Sequence, residues 1–144
     1  MNDTDINVET LPHTKNYDWN SPLCAGSVVL AGYNDFTGNR KAALFLILYD
    51  EQLDSDVPEN KNVYALKLTT QSTLLSNYIV RINMRENSFL NSPSLVCCSK
   101  PHILHKVHNI YNVLGVLDSR TMKNVYRMYK KFANEIDRQT LESI

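Results

Sequence analysis

Two short stretches of this chain hold side chains suited to a phosphate. In "NDFTGNRKAALFLIL", residues 34–48, Asp35, Gly38 and Arg40 stand as D-x-x-G-x-R directly ahead of an apolar run. In "LKLTTQST", residues 66–73, Thr69, Thr70, Gln71, Ser72 and Thr73 follow one another without a charge. A turn uses one or two such groups on its own backbone, so five in succession suggest a surface that binds something polar. A guanidinium brings permanent charge and fixed N–H donors that match a phosphate, and threonine hydroxyls can add neutral hydrogen bonds. Two plainer readings stay open at this point: Arg40 could guard a strand edge against unwanted pairing, and "TTQST" could be an ordinary polar loop.

Short strands must position these residues. "SVVLAGY" (27–33) reads as a strand, "NDFTGN" (34–39) as a loop, and the nearly continuous apolar run "KAALFLILY" (41–49) as a strand covered on both faces. A strand through "VYALKL" (63–68) delivers the threonines. "NYIVRINMR" (77–85) alternates like a half-buried strand, and "SLVCC" (94–98) and "YNVLGVL" (111–117) complete five or six short strands. That spacing predicts a mainly β chain folded as a small barrel or strongly curved sheet. The period then changes: Met122, Val125, Tyr129, Phe132 and Ile136 recur at steps of three and four behind Asp118 or Ser119, either of which can cap. An amphipathic C-terminal helix of about five turns is expected, at 3.6 residues per turn. Residues 1–24 carry no sustained period and read as an extension, leaving 25–144 as one domain.

Composition narrows the function classes. The chain has 144 residues, with 15 basic and 15 acidic side chains, so its net charge gives no general attraction to nucleic acid or acidic membrane. The charges are nonetheless segregated. Asp50, Glu51, Asp54, Asp56 and Glu59 share a segment without a base, whereas Lys100 to Lys131 holds seven Lys or Arg against the single acid Asp118. Three cysteines, Cys97 and Cys98 adjacent, form no disulfide framework and fit a reducing compartment. The polar N-terminus "MNDTDINVET" does not look like a signal peptide, and no apolar stretch reaches spanning length. A cytoplasmic protein without membrane contact is the expectation.

The D-x-x-G-x-R loop before an apolar strand and the "LTTQS" end of the next strand together resemble the MazF/PemK family of toxin endoribonucleases. That family typically carries E-x-x-G-x-R-P in its first loop and a Thr-rich turn after the following strand. "NSPSLVCCSKPHILHKV" and "LGVLDSRTMKNVYRMYKKF" are similar to the family's later strands and closing helix, so the resemblance runs over about residues 25 to 138. It implies an SH3-like barrel closed by the helix, a homodimer, metal-independent cleavage of single-stranded RNA at short sequences, and neutralisation by a cognate antitoxin. No cofactor is implied. Arg40 matches the family's catalytic arginine, Thr69 the threonine that assists it, and Asp35 stands where the family has glutamate. Asn39, Lys41, Lys67, Thr70, Gln71 and Ser72 would then be the RNA-binding residues around them. Lys41 replaces the proline that usually follows the arginine, and Asp35 is one methylene shorter than glutamate.

RNA cleavage by attack of the 2′-hydroxyl needs a proton acceptor, a proton donor for the leaving 5′-oxygen, and donors for the phosphorane charge. Arginine, with a pKa above about 12, is a poor proton shuttle, so Arg40 is suited to stabilise charge and the base is unassigned. His102, His105 and His108 with Cys97 and Cys98 match none of the usual zinc spacings, so no metal site is expected. On an alternating strand His102 and His108 would share one face and His105 the other. An alternative function is a non-catalytic, protein-binding member of the same fold, bacterial or phage-encoded, acting by contact with a host or antitoxin protein. A third class is an accessory protein whose acidic patch engages a host factor.

Overall fold

The computed structural model describes residues 23–34, 37–50, 62–70, 78–106 and 108–142. Six strands form one antiparallel sheet: β1 Ser27–Asn34, β2 Arg40–Asp50, β3 Asn62–Thr69, β4 Ile79–Arg81, β5 Leu95–His105 and β6 Ile110–Val116. Their order across the sheet is β4-β5-β3-β2-β1-β6, and a single helix, α1 Ser119–Glu142, follows. The expected mainly β barrel with a closing helix is the architecture found. The expected acidic segment falls largely outside the described residues, as does the expected extension apart from Leu23 and Cys24.

β2 explains the architecture. Every residue from Ala42 to Leu48 except Leu44 is buried, because alternate side chains enter two different cores. On one face Leu46 meets Val28, Leu66 and Val96, with Met122 and Val125 of α1 laid over them. On the other, Phe45 and Ile47 pack with Val29, Val63, Leu104 and Ile110. Burying each large side chain of this kind contributes about 2 kcal/mol.

Three elements differ from the sequence reading. The expected strand 77–85 shrinks to Ile79–Arg81, because Asn83 accepts the Arg85 amide at 2.9 Å and bends the chain into turns. The strand expected at 94–98 continues to His105 and passes Pro101, which sits at a register irregularity against β3 where its missing N–H breaks no regular ladder. His105 ends that strand and His108 lies in the following turn, their rings stacked at 4.5 Å, so the histidines do not alternate along one strand. Finally, α1 has 24 residues, longer than the five turns expected, and Asp118 is its cap: Oδ2 accepts the Thr121 amide at 3.1 Å.

Candidate nucleic-acid site

Arg40 begins β2, just after a turn in which Gly38 takes a φ of +87°. Its side chain shares a face with Ala42, Leu44 and Leu46, and is exposed. Across β1 it reaches β6, where Nη2 donates to the Tyr111 hydroxyl at 3.1 Å. Gly32 on β1 lies beneath the guanidinium. A Cβ there would stand 2.6 Å from Nη2 and 2.9 Å from Cζ, so with any other residue the guanidinium would have to shift from this path.

Thr69 closes β3 and is buried, whereas Thr70 beyond it is exposed. Both line a cavity of about 250 Å³ whose other walls include Leu44 of β2, Leu114 of β6 and Phe89. The sheet therefore curves enough to bring β3 and β6 round one space, and Arg40 and Tyr111 lie further along the same β2 and β6 strands. Gly115 allows Phe89 to close the cavity, since a Cβ on Gly115 would meet the Phe89 ring at 2.6 Å. The segment carrying Phe89 is pinned by Asn87, fully buried: its Nδ2 donates to Asp118 Oδ1 at 2.8 Å and its Oδ1 accepts the Asp118 amide at 3.0 Å.

The remaining expected site residues divide. Asn39 is exposed in the turn before Arg40. Lys41 pairs with Tyr33 in register and Lys67 with Phe45, which turns both toward the face opposite Arg40. There the Lys67 ammonium lies 5.4 Å from the Tyr33 ring centroid, and Tyr33, Phe45 and His102 meet edge to face at 5.1–5.6 Å. Burial, followed by the nearby Lys67 and Lys100, pushes the His102 imidazole below its ordinary pKa, so its neutral form is favoured. Asp35, Gln71 and Ser72 lie outside the described residues. Arg40 makes its described contacts toward β1 and β6, while Thr69 stands on the other side of β2 in the sheet order. Strict alternation assigns Thr70 rather than Thr69 to the Arg40 face.

Burial raises the Cys97 thiol, and burial, with Cys97 adding, raises Cys98 to about 12, so neither is an activated nucleophile. No cluster of metal-ligating side chains occurs among the described residues. No helix among the described residues is long and apolar enough to cross a membrane. Gly32, Asn109 and Tyr111 were not singled out by the sequence reading. A glycine inside the strand "SVVLAGY" was the available signal for Gly32, because it marks a close approach of something to the backbone.

No protein-family model matches the sequence, and no curated protein sequence does. Solved structures do. An endoribonuclease from a mycobacterial species, solved in complex with its cognate antitoxin, superposes with a TM-score of 0.58 at 19% identity, over 79% of this chain and 96% of its own. The MazF-mt6 toxin of Mycobacterium tuberculosis gives 0.57 at 18% identity, over 75% and 96%. MazF in the MazE-MazF structure from Deinococcus radiodurans gives 0.53 at 15%, over 78% and 96%. The chain thus has the MazF/PemK-like toxin fold, the fold its motifs resemble.

Proposed function

We propose that this protein is a MazF-like endoribonuclease that cleaves single-stranded RNA at short sequences without a metal ion. The observation that carries the reading is Arg40: an exposed guanidinium, laid across β1 on a glycine and held by Tyr111, on a fold shared with endoribonuclease toxins. Arg40 would stabilise the charge that grows on the phosphorane. Thr70, exposed at the end of β3, would contact the RNA backbone, with buried Thr69 supporting it from within and Asn39, Gln71 and Ser72 around them. Asp35 is the carboxylate nearest in sequence to Arg40 and is assigned the role of orienting it or the substrate. Lys41 and Lys67, on the face opposite Arg40, would add long-range attraction for the RNA strand. An antitoxin partner and a homodimer in the cytoplasm follow from the same reading.

The test is incubation of a long single-stranded RNA with the purified protein, without added metal, and mapping of the fragment ends. Discrete cuts at a recurring short sequence, lost in Arg40→Ala and weakened in Thr69→Ala, support the proposal. Intact RNA with a folded wild-type protein moves the assignment to the non-catalytic, protein-binding alternative.

A further inference from the structure

The surroundings of Arg40 hold more organisation than an exposed arginine ordinarily has. A long cationic side chain on a surface samples many rotamers, and its entropy is lost when a ligand fixes it. Three features give the side chain a defined path here: the space over Gly32, a bulge in β6, and Asn109. Gly32 sits in a regular strand with an ordinary φ, since only Gly26 and Gly38 have positive values; space, and not conformation, explains it. An alanine in its place would put Cβ 2.6 Å from Nη2 and displace the guanidinium from this path.

The second feature is a bulge. Leu30 pairs with Asn112 and Ala31 with Ile110, so Tyr111 is the extra residue on β6. A bulge re-aims the side chain it carries, and this one brings the Tyr111 hydroxyl to Arg40 Nη2 at 3.1 Å. The third is Asn109, which fixes the floor and the bulge to each other. Its carbonyl accepts the Gly32 amide and its Nδ2 donates to the Gly32 carbonyl, each at 2.8 Å, while Oδ1 accepts the His105 amide at 2.6 Å. Glycine and tyrosine are thereby referenced to one residue, two positions before Tyr111 in the chain.

We propose that Gly32 and Tyr111 are positioning residues for catalysis. They hold the Arg40 guanidinium in one orientation before RNA arrives, with Nη2 committed to Tyr111 and the remaining N–H edge presented to a phosphodiester oxygen. The proposal rests on the endoribonuclease reading of this surface. Preorganised donors act without reorganising when charge develops, so loss of the anchor should slow the chemical step while leaving RNA affinity nearly constant.

The test measures cleavage and the arginine itself. Tyr111→Phe keeps the ring and removes the acceptor; Gly32→Ala is a second, harsher variant. In Tyr111→Phe, kcat should fall about tenfold with KM unchanged. The Arg40 Nε–H signal of the 15N-labelled wild type should show hindered side-chain rotation that the variant loses. In an Arg40→Lys background, the same Tyr111→Phe change should alter the rate by less than about twofold. Wild-type rates and an unchanged arginine signal in Tyr111→Phe would overturn the positioning role and leave the nuclease intact. An equal loss in the Arg40→Lys background would also overturn it, by showing damage that does not pass through Arg40. If folded wild type leaves RNA uncut, the endoribonuclease reading itself fails, and this is seen before any variant is compared.

Discussion

The Asn87 corner and the Arg40 corner are both held by hydrogen bonds that cross between distant parts of the chain, but they treat their central polar group in opposite ways. Asn87 is fully buried, and its amide is spent on Asp118 and on the Asn83 carbonyl. Arg40 is exposed, and the structure around it steers its guanidinium without covering it. Polar groups buried and satisfied serve to fix the loop and helix. A charged group that is oriented yet left open to solvent is what the proposed RNA site requires. The first corner is read as framework and the second as working surface.

Variants should separate the two. The largest effect is expected from Arg40→Ala, which should cut RNA cleavage by about 10²–10³-fold while the thermal midpoint stays close to wild type. A large drop in midpoint would mean that Arg40 belongs to the framework. Next is Asn87→Ala, which leaves the part-buried amide of Asp118 without its acceptor and should cost about 1–3 kcal/mol in denaturant unfolding. Its cleavage rate at a temperature where it remains folded should match wild type, and a rate loss there would erase the distinction between the corners.

A smaller effect is expected at Asp118. Burial raises its pKa, but bonds from Thr121 and Asn87 outweigh this and hold it down at about 2, below its ordinary value of 3.8. A lowered folded-state pKa means stability present in full above the ordinary value and lost as pH falls through about 4 to about 2. Urea unfolding between pH 5 and pH 2 should show this slope in wild type and less of it in Asp118→Asn, whose amide oxygen can still cap the helix. Smallest of all, Lys130→Ala on the exposed side of α1 should stay within about 0.5 kcal/mol of wild type. A strong loss of RNA binding in that variant would extend the working surface onto the helix.

Much of this could be read from residue order. The run 41–49 announced a strand buried on both faces because apolar side chains at successive positions must enter two cores, as Phe45 and Leu46 do. The helix was legible from its three-and-four spacing, and its cap was narrowed to Asp118 or Ser119, of which Asp118 is the one found. β5 was harder: Lys100, Pro101 and His102 look like a turn locally, yet pairing with β3 carries them as strand. Alternation in 77–85 misled, since a local Asn83 bond competed with the ladder and won.

For the working surface the division is sharper. Sequence by itself determined the fold class, through hydrophobic periodicity, and marked Arg40 and Thr69 as residues to watch. It did not determine who stands beside Arg40. Gly32, Asn109 and Tyr111 are brought to it by sheet order, by a one-residue bulge and by the turn before β6. Those are relations between strands far apart in the chain, and local propensity does not encode them. Alternation along a single strand tells which side a residue faces; only the closed set of strand pairings decides which neighbours it meets there.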